Sequence, residues 1–322
     1  MSTVAIVGLL LIVAFLFPEL GRKGGLLASQ NLTQAGVFFI FLGMGLSLKK
    51  EKWREGFRSP LLMIHLLIFQ FLLSPLIGWG MITLFPSMDP RMKFALFFLT
   101  ALPTTISTST VFSQKAGENP ALAAIASLSS NLFAVFLTPL WISLYFADRS
   151  FGSLPYLPLL KPILLNLIVP ALLGALLRPL FGSFFERNSR IISKINMSIV
   201  FFILYAAFCD LFAMKIGGGG ELSVKALLFS IFLTVIFLMI SHGLLYWFGK
   251  RVHPAHSLTF LFSGAQKSIA TGAPMALAVL AQTEGLFPGG LTYGLILLPF
   301  VIYHPAQIIL GSWILKKESS ST

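Results

Sequence analysis

The sequence predicts an all-α membrane protein of ten transmembrane helices, arranged as two five-helix halves of opposite orientation. Its 322 residues are 56% hydrophobic and only 11% charged, whereas a soluble domain carries about 25% charged residues. The apolar residues form long continuous runs, and two of these runs carry matching polar interruptions. So few charges cannot cover a soluble fold of this size. This excludes a soluble enzyme, a secreted disulfide scaffold and a nucleic-acid-binding domain.

The expected spans follow from the length that a membrane requires, because a helix needs about 20 apolar residues to cross the hydrocarbon core. They lie near residues 4–20, 32–48, 60–85, 92–114, 119–147, 157–180, 193–215, 222–249, 255–283 and 288–314. The first run is not read as a signal peptide, since it has no basic n-region and no small-residue cleavage site. The absence of a targeting segment favours the cell inner membrane.

Lysine and arginine residues are unevenly distributed between the two sets of loops. The loops 49–59, 115–118, 178–194 and 250–254, together with the C-terminus, hold 14 of the 23, and the opposite loops hold 8. The side with more cations is expected to face the cytoplasm. Both termini of this multi-pass protein are therefore predicted to be cytoplasmic. The same asymmetry accounts for the net charge of +12 without a nucleic-acid partner.

The fourth and ninth expected spans each carry a polar stretch at mid-membrane. Pro103 stands among threonines and serines in the fourth, and Gly264 precedes a polar run in the ninth. Backbone groups freed there need partners inside the protein or beside a wet cavity. The two spans hold the same place in the halves 1–150 and 151–322, and an odd number of spans per half gives the halves opposite orientations. Such paired interruptions indicate a transporter with a midplane site.

Three segments carry a resemblance to a known family: GMGLSLK at 43–49, AFCD at 207–210 and IYHPAQIILGS at 302–312. Along essentially its full length the chain resembles the bile acid:sodium symporter family (solute carrier family ten), closest to the branch typified by its seventh member. The resemblance implies ten helices in two inverted five-helix repeats, with broken helices four and nine crossing in a core domain beside a panel domain. It also implies a transporter and not an enzyme.

The resemblance further implies a set of cation-binding side chains from the broken helices and their neighbours: Gln70, Thr108, Ser109, Ser127 and Gln266. Two ligands of the family are missing, because Phe262 replaces a shared glutamate and Ala123 offers no oxygen. Lys267 stands where relatives carry asparagine. Sodium prefers oxygen ligands and, in apolar surroundings, a compensating negative charge. Coupling to two sodium ions is therefore not inherited with the resemblance.

The crossing of the broken helices is where the substrate is expected, in contact with Thr104, Thr105, Thr108, Lys267 and Ser268. Residues expected to shape the helices are Pro103, Gly264, His304 and Pro305. Two roles are open for Lys267, since an ionisable residue within a span is a functional hypothesis by default. Its ammonium could fill the place of one sodium ion and exchange a proton in each cycle. Alternatively, it could tie the carbonyls of the broken helices together.

The function expected from these observations is secondary active, symporter-like transport of a small organic anion, coupled to sodium or, given Lys267 and the missing carboxylate, to protons. The alternative is a non-transporting membrane regulator linked to calcium homeostasis. An intramembrane hydrolase is not supported, because no Ser-His or paired-Asp arrangement lies at membrane depth. No cofactor is expected beyond a sodium ion. The expected partners are the anion and membrane lipid, and the oligomeric state is left open.

Overall fold

The computed structural model describes residues 3–22, 24–27, 29–47, 59–147, 156–213, 223–283, 286–287 and 290–320, and no strand occurs among them. Their helices in chain order are α1 (Thr3–Leu16), α2 (Pro18–Gly21), α3 (Ser29–Leu46), α4 (Pro60–Thr83), α5 (Pro90–Thr100), α6 (Ile106–Lys115), α7 (Pro120–Ala147), α8 (Tyr156–Arg187), α9 (Ser189–Ala213), α10 (Val224–Val252), α11 (Ser257–Ala265), α12 (Ile269–Leu280) and α13 (Tyr293–Ser319). A 3₁₀ turn, Pro254–His256, joins α10 to α11. The all-α prediction is confirmed for this part of the chain.

Within the described ranges, six helices are long and apolar enough to cross a membrane, namely α4, α7, α8, α9, α10 and α13. They coincide with the third, fifth, sixth, seventh, eighth and tenth expected spans. Shorter apolar stretches, Ile6–Leu16 and Asn31–Leu46, lie at the first and second. The chain is thus a multi-pass membrane protein. Most of the basic loop 49–59, which contributed to the predicted orientation, lies outside the described residues.

At the fourth and ninth expected spans the helix is interrupted. α5 ends at Thr100 and α6 begins at Ile106, while α11 ends at Ala265 and α12 begins at Ile269. In the first gap, Pro103 has no N–H to continue a helical ladder and restricts the residue before it. Residue 266 in the second gap is extended, with φ −72° and ψ 147°. Both gaps leave backbone groups that need partners from elsewhere in the protein.

α4 contains one turn of π-helix, Phe69–Leu73, and Pro75 follows it by two residues. A proline without an N–H commonly disturbs a helical ladder in this way. Phe71 lies four residues before Pro75, so its carbonyl would pair with residue 75 in a regular α-helix. Trp141 of α7 instead donates its indole N–H to this carbonyl at 2.6 Å. A second π turn, Leu164–Ile168, lies in α8.

The described residues form two compact units. The first contains those within 1–48, 142–225 and 269–298, which include α1–α3, α8, α9 and α12. Glycines let α3 and α8 approach closely in it: a Cβ at Gly45 would lie 2.0 Å from the Ala171 carbonyl oxygen, and one at Gly174 equally close to that of Leu42. Small residues at such contacts are typical of packed membrane helices.

The second unit contains the described residues within 49–141, 226–268 and 299–322. It comprises α4, α5, α6 and α11, with most of α7, α10 and α13. All thirteen site residues predicted from the sequence lie in this unit. The two units each draw on both halves of the sequence.

Candidate functional site

The second unit contains two helix breaks: the first break is residues 101–105, after α5, and the second break is residues 266–268, after α11. The two breaks contact each other through their backbones. The N–H of Ser268, after α11, donates to the carbonyl of Pro103, after α5, at 2.9 Å. Thr104 and Gln266, which flank this contact, are fully buried. A hydrogen bond between two non-helical segments therefore lies inside the protein.

Side chains of α7 satisfy the backbone of the first break. Thr138 donates its hydroxyl to the carbonyl of Ala101 at 2.7 Å. The N–H of Thr104 donates to the hydroxyl oxygen of Ser130 at 3.2 Å, and Asn131 donates its amide to the Thr104 carbonyl at 2.8 Å. These contacts supply the partners that a helix would have supplied.

Lys267 bridges the second break to the end of α5. Its Nζ donates to the carbonyls of Thr100 (2.9 Å) and Leu102 (2.8 Å) and to the hydroxyl of Ser74 (3.0 Å). An ammonium has three N–H donors, so each donor has a partner. Thr100 is the last residue of α5, where the helix dipole places partial negative charge. Lys267 is 1% exposed, and no ion pair to it occurs within the described part of the chain.

α13 supplies the remaining partners of the second break. Gln307 Oε1 accepts the backbone N–H of Lys267 at 2.8 Å, and Gln307 Nε2 lies 2.9 Å from Nδ1 of His304. Tyr303 donates its hydroxyl to the carbonyl of Ala265, the last residue of α11, at 2.6 Å. The predicted residue His304 therefore acts on the break through Gln307.

The predicted cation ligands form separate contacts within the second unit. Ser109 and Ser127 place their hydroxyl oxygens 2.7 Å apart, and both side chains are fully buried. Thr108, one residue earlier on α6, donates its hydroxyl to Oε1 of Gln266. The contact between Ser109 and Ser127 joins α6 to α7, and the contact between Thr108 and Gln266 joins α6 to the second break. These two contacts share no residue.

Gln70 lies in the π turn of α4 and donates its amide to the carbonyl of Ser263 at 2.5 Å. Several buried polar atoms near these contacts have no hydrogen-bond partner among the described residues: Gln70 Oε1, Ser263 Oγ, Thr104 Oγ1 and Gln266 Nε2. Buried polar atoms are rarely left unpaired. Three of the four atoms are oxygens, which can coordinate a cation. The fourth is an amide nitrogen, which can donate a hydrogen bond to an anion.

The position at which the resemblance implies a carboxylate is apolar. Phe262 is fully buried, and its ring centroid lies 5.0 Å from that of Phe112. Both rings belong to an apolar cluster with Leu122 and Ala126, and Ala123 is fully buried as well. The neighbouring hydroxyl and amide oxygens therefore fit sodium in coordination chemistry but provide no negative charge to compensate it.

Accessible hydroxyls lie at the start of α6. Thr105 precedes its first turn and makes no side-chain cap hydrogen bond. Thr105 and Thr108 are partly exposed and Ser107 is exposed, whereas Thr104 and Ser268 are buried. Of the predicted substrate residues, Thr105 and Thr108 are therefore the more exposed.

Three residues predicted to shape the helices have local structural roles. Pro103 lies in the first break, and Pro305 lies inside α13. A Cβ at Gly264 would lie 2.7 Å from a methyl carbon of Leu245, so a larger residue there would displace the Leu245 side chain between α10 and α11.

Sequence reasoning assigned no partner role to the side chains that satisfy the two breaks: Ser74, Ser130, Asn131, Thr138, Tyr303 and Gln307. One signal was present in the sequence. Gln307 is an amide within an apolar span, and a polar side chain at membrane depth needs a partner inside the protein. Its partner, Lys267, lies 40 residues away in the chain.

Comparisons with known proteins cover nearly the whole chain. The model of the SBF-like CPA transporter family matches residues 3–318. Sodium/bile acid cotransporter 7-B of Xenopus laevis is 28% identical over 314 residues, which cover 95% of this chain and 89% of that protein. Sodium/bile acid cotransporter 7 of Gallus gallus is 28% identical over 317 residues, covering 96% and 88%.

A bacterial protein, YfeH of Escherichia coli (strain K12), is 27% identical over 300 residues, which cover 91% of this chain and 86% of YfeH. These matches confirm the family that the sequence motifs indicated, and they are matches to transporters, not to enzymes. Because the family model matches residues 3–318, from the start of α1 into the last turn of α13, the chain belongs to the SBF-like CPA transporter family.

Proposed function

We propose that the chain is a secondary active transporter of a small organic anion, built from ten spans in two inverted repeats, residues 1–150 and 151–322. In this arrangement α5 and α6 form the fourth span, and α11 and α12 form the ninth. The second unit, which contains α5, α6 and α11, corresponds to the larger part of the family's core domain, whereas α12, the second part of the ninth span, falls in the first unit with the helices assigned to the panel domain. The observation that carries the proposal is the buried hydrogen bond from Ser268 to Pro103 between the two helix breaks. Interrupted helices of this kind are typical of midplane transport sites.

The start of α6 supports an anionic substrate. A helix N-terminus has free N–H groups and partial positive charge, so it attracts carboxylates and phosphates. Thr105 and Thr108 bring accessible hydroxyls to this turn, and Gln266, in contact with Thr108, has a buried amide nitrogen without a partner among the described residues. A carboxylate of the substrate would accept hydrogen bonds from the Thr105 hydroxyl and the Gln266 amide, whereas the Thr108 hydroxyl already donates to Gln266 Oε1. Lys267 would act on it through charge alone, because its three donors are already used.

The contacts of Lys267 support a proton as the coupling ion. The ammonium donates to two carbonyls and to the hydroxyl oxygen of Ser74. Ser74 in turn donates its hydroxyl hydrogen to the Thr100 carbonyl at 2.6 Å. A neutral amine has only two N–H donors and cannot satisfy all three oxygens. Loss of a proton from Lys267 would therefore loosen the contact between the second break and the end of α5. The protonated, tight state and the neutral, loosened state would be the two states of an alternating cycle. Sodium at Gln70, Thr108, Ser109, Ser127 and Gln266 is the competing coupling ion, and the apolar surroundings of Phe262 disfavour it.

The first test is the thermal stability of the detergent-purified protein across pH, with sodium replaced by choline at constant ionic strength. A ligand of the folded state raises stability by mass action, by about 2.7 kcal/mol at a hundredfold excess over its Kd. We expect no stabilisation specific to sodium. Lys267→Met should lower stability by about 2 kcal/mol, because three buried oxygens lose their donor, and should flatten the pH dependence. Lys225→Met, at an exposed position, is the matched control and should do neither.

Sodium-specific stabilisation that persists in Lys267→Met would contradict proton coupling and assign the coupling to the oxygen ligands. The second candidate, a non-transporting membrane regulator linked to calcium homeostasis, is favoured by one observation, the replacement of the carboxylate position by Phe262. Counterflow of radiolabelled small carboxylates in proteoliposomes separates the two functions. A transporter exchanges one of them across the membrane, whereas a regulator shows neither exchange nor anion-dependent stabilisation.

A further inference from the structure

The peptide groups of Lys267 are held at two points by one buried side chain. Gln307, which is fully buried, accepts the N–H of Lys267 at 2.8 Å and directs its Nε2 to the Lys267 carbonyl at 3.4 Å. Residues 266–268 are not helical, so these backbone groups have no helical partners. A side chain in this position can determine the direction in which the Lys267 side chain leaves the backbone.

His304 accepts a hydrogen bond from the Gln307 amide, whose orientation is set by the Lys267 N–H. Its Nδ1 lies 2.9 Å from Gln307 Nε2, and an amide nitrogen is only a donor, so Nδ1 is the acceptor and the ring proton is on Nε2. In the flipped amide, Oε1 would face the lone pair of Nδ1, and Nε2 would face the N–H of Lys267. The contact with the Lys267 N–H, which can only donate, would then be repulsive, and Nδ1 could meet Oε1 only by taking the ring proton from Nε2. Stacking on Phe300, with ring centroids 5.5 Å apart, holds the imidazole in place.

The other groups that face the Lys267 ammonium are neutral. They are the hydroxyl of Ser74 on α4, the carbonyls of Thr100 and Leu102 at the end of α5, and the ring of Phe237 on α10 at 5.9 Å. α13 brings only Gln307 and, behind it, the titratable His304. Because none of these groups carries a negative charge, the ammonium keeps its place through geometry.

We propose that Gln307 is a positioning residue for Lys267, and that His304 holds the Gln307 side chain in place by accepting from its amide nitrogen. His304, Gln307 and the Lys267 backbone thus form a chain of contacts that aims the ammonium at the end of α5. The importance of this chain for transport rests on the proposed function, in which Lys267 carries the coupling proton. The contacts themselves can be tested without transport.

The test is acetylation of the purified protein by an N-hydroxysuccinimide ester at one fixed alkaline pH, with modification at Lys267 quantified by mass spectrometry. Exposed Lys115 serves as the internal reference, and Lys93, which is 6% exposed, reports global unfolding. In Gln307→Met we expect acetylation of Lys267 to rise about five-fold, the factor by which losing one buried hydrogen bond changes a local opening equilibrium. Gln114→Met, which changes an exposed glutamine of α6, is the control and should leave it unchanged.

Two substitutions of His304 separate positioning from packing. His304→Phe keeps the ring that stacks on Phe300 but removes the acceptor, so acetylation of Lys267 should rise as in Gln307→Met. His304→Asn removes the ring but retains an acceptor near the place of Nδ1, so acetylation should stay close to the wild-type value. The inference is overturned if Lys267 stays protected in His304→Phe, or if only His304→Asn exposes it.

The two His304 variants decide the question even where Gln307→Met fails to fold, which a parallel rise at Lys93 would reveal. Acetylation needs no substrate and no coupling ion. A protein without counterflow activity would therefore refute the proposed function while leaving the positioning of Lys267 to be decided by the labelling alone.

Discussion

Buried lysines in the second unit are held by backbone carbonyls. Lys93, near the start of α5, donates to the carbonyl of Pro86 at 2.7 Å, and Lys267 donates to those of Thr100 and Leu102. A carbonyl without a helical partner is a strong acceptor, and its satisfaction offsets part of the cost of burying an ammonium. At the scale of residues, a break in a helix and a buried cation therefore stabilise each other.

A carboxylate outside the spans gives a prediction at the same scale. Asp89 precedes α5, accepts the N–H of Arg91 at 2.8 Å and pairs with its guanidinium at 2.8 Å. Burial alone would raise the pKa of Asp89, but the contacts with Arg91 outweigh it and hold the pKa below the ordinary value of 3.8. Since the pKa is depressed in the folded state, the stabilisation is present above that ordinary value and is lost as the pH falls through the folded-state pKa.

Asp89→Asn should therefore lower the free energy of unfolding at neutral pH by about 1 kcal/mol, while keeping an oxygen that can cap the helix. The difference from wild type should shrink as the pH falls from 3.8, where Asp89 of the unfolded chain takes up its proton, through the lower folded-state pKa, where the native carboxylate is protonated too. Thermal unfolding in detergent at both pH values measures it. A difference in unfolding free energy between wild type and Asp89→Asn that is the same at both pH values would show that the charge of Asp89 contributes nothing.

Helix ends in the second unit are completed by side chains from other elements. Glu118, in the turn after α6, accepts the N–H groups of Leu258 (2.9 Å) and Thr259 (2.6 Å) in the first turn of α11. Gly117 adopts φ +72° immediately before it, a left-handed conformation that favours glycine and turns the chain toward α11. The Glu118 side chain thereby joins the end of α6 to the backbone of α11.

Glu118→Ala should lower the free energy of unfolding by about 1.5 kcal/mol, because two N–H groups lose a charged acceptor at a helix N-terminus. Glu19→Ala is the matched control: it removes a carboxylate whose side chain is 68% exposed and paired with Arg22, and such pairs contribute less than about 1 kcal/mol. Thermal unfolding of both variants measures the difference. Equal losses would mean that Glu118 does not act as a cap for α11.

At the scale of the whole molecule, neither sequence half forms a unit by itself. The second unit takes α4, α5 and α6 from the first half and α11 from the second, and the first unit likewise draws on both. A chain with this connectivity completes its core only through contacts between distant segments. The structure therefore depends on long-range pairing that no single span specifies.

The predicted orientation can be tested on the same scale. Cys209 is the only cysteine, so a Cys209→Ala protein accepts single reporters at Gln114, at the end of α6, and at Leu84, just after α4 and 74% exposed. With cytoplasmic termini, a membrane-impermeant maleimide should label Gln114→Cys only in inside-out vesicles and Leu84→Cys only in right-side-out vesicles. Labelling of both reporters from one side would contradict the predicted topology.

The sequence by itself determined the membrane class and the family, and it predicted the site residues from local stretches. A long apolar run indicates that a segment crosses the membrane, and a proline disrupts a helix within one turn of itself. Both effects depend on neighbouring residues, so membrane spans and helix breaks can be predicted from the local sequence. The thirteen predicted site residues accordingly lie in one unit. The resemblance also predicted that Phe262 replaces a carboxylate, because that inference needs only the residue type at a matched position.

Only the tertiary structure decided which groups satisfy the breaks. Lys267 meets Ser74 across 193 residues of sequence and Leu102 across 165. Gln307 reaches the Lys267 backbone from a helix whose apolar pattern gave no sign of its partner. A hydrogen bond depends on the position of two atoms to within a fraction of an ångström, and that precision arises only when distant helices pack. For this reason the sequence left two roles open for Lys267, whereas the fold assigns each of its donors to an oxygen.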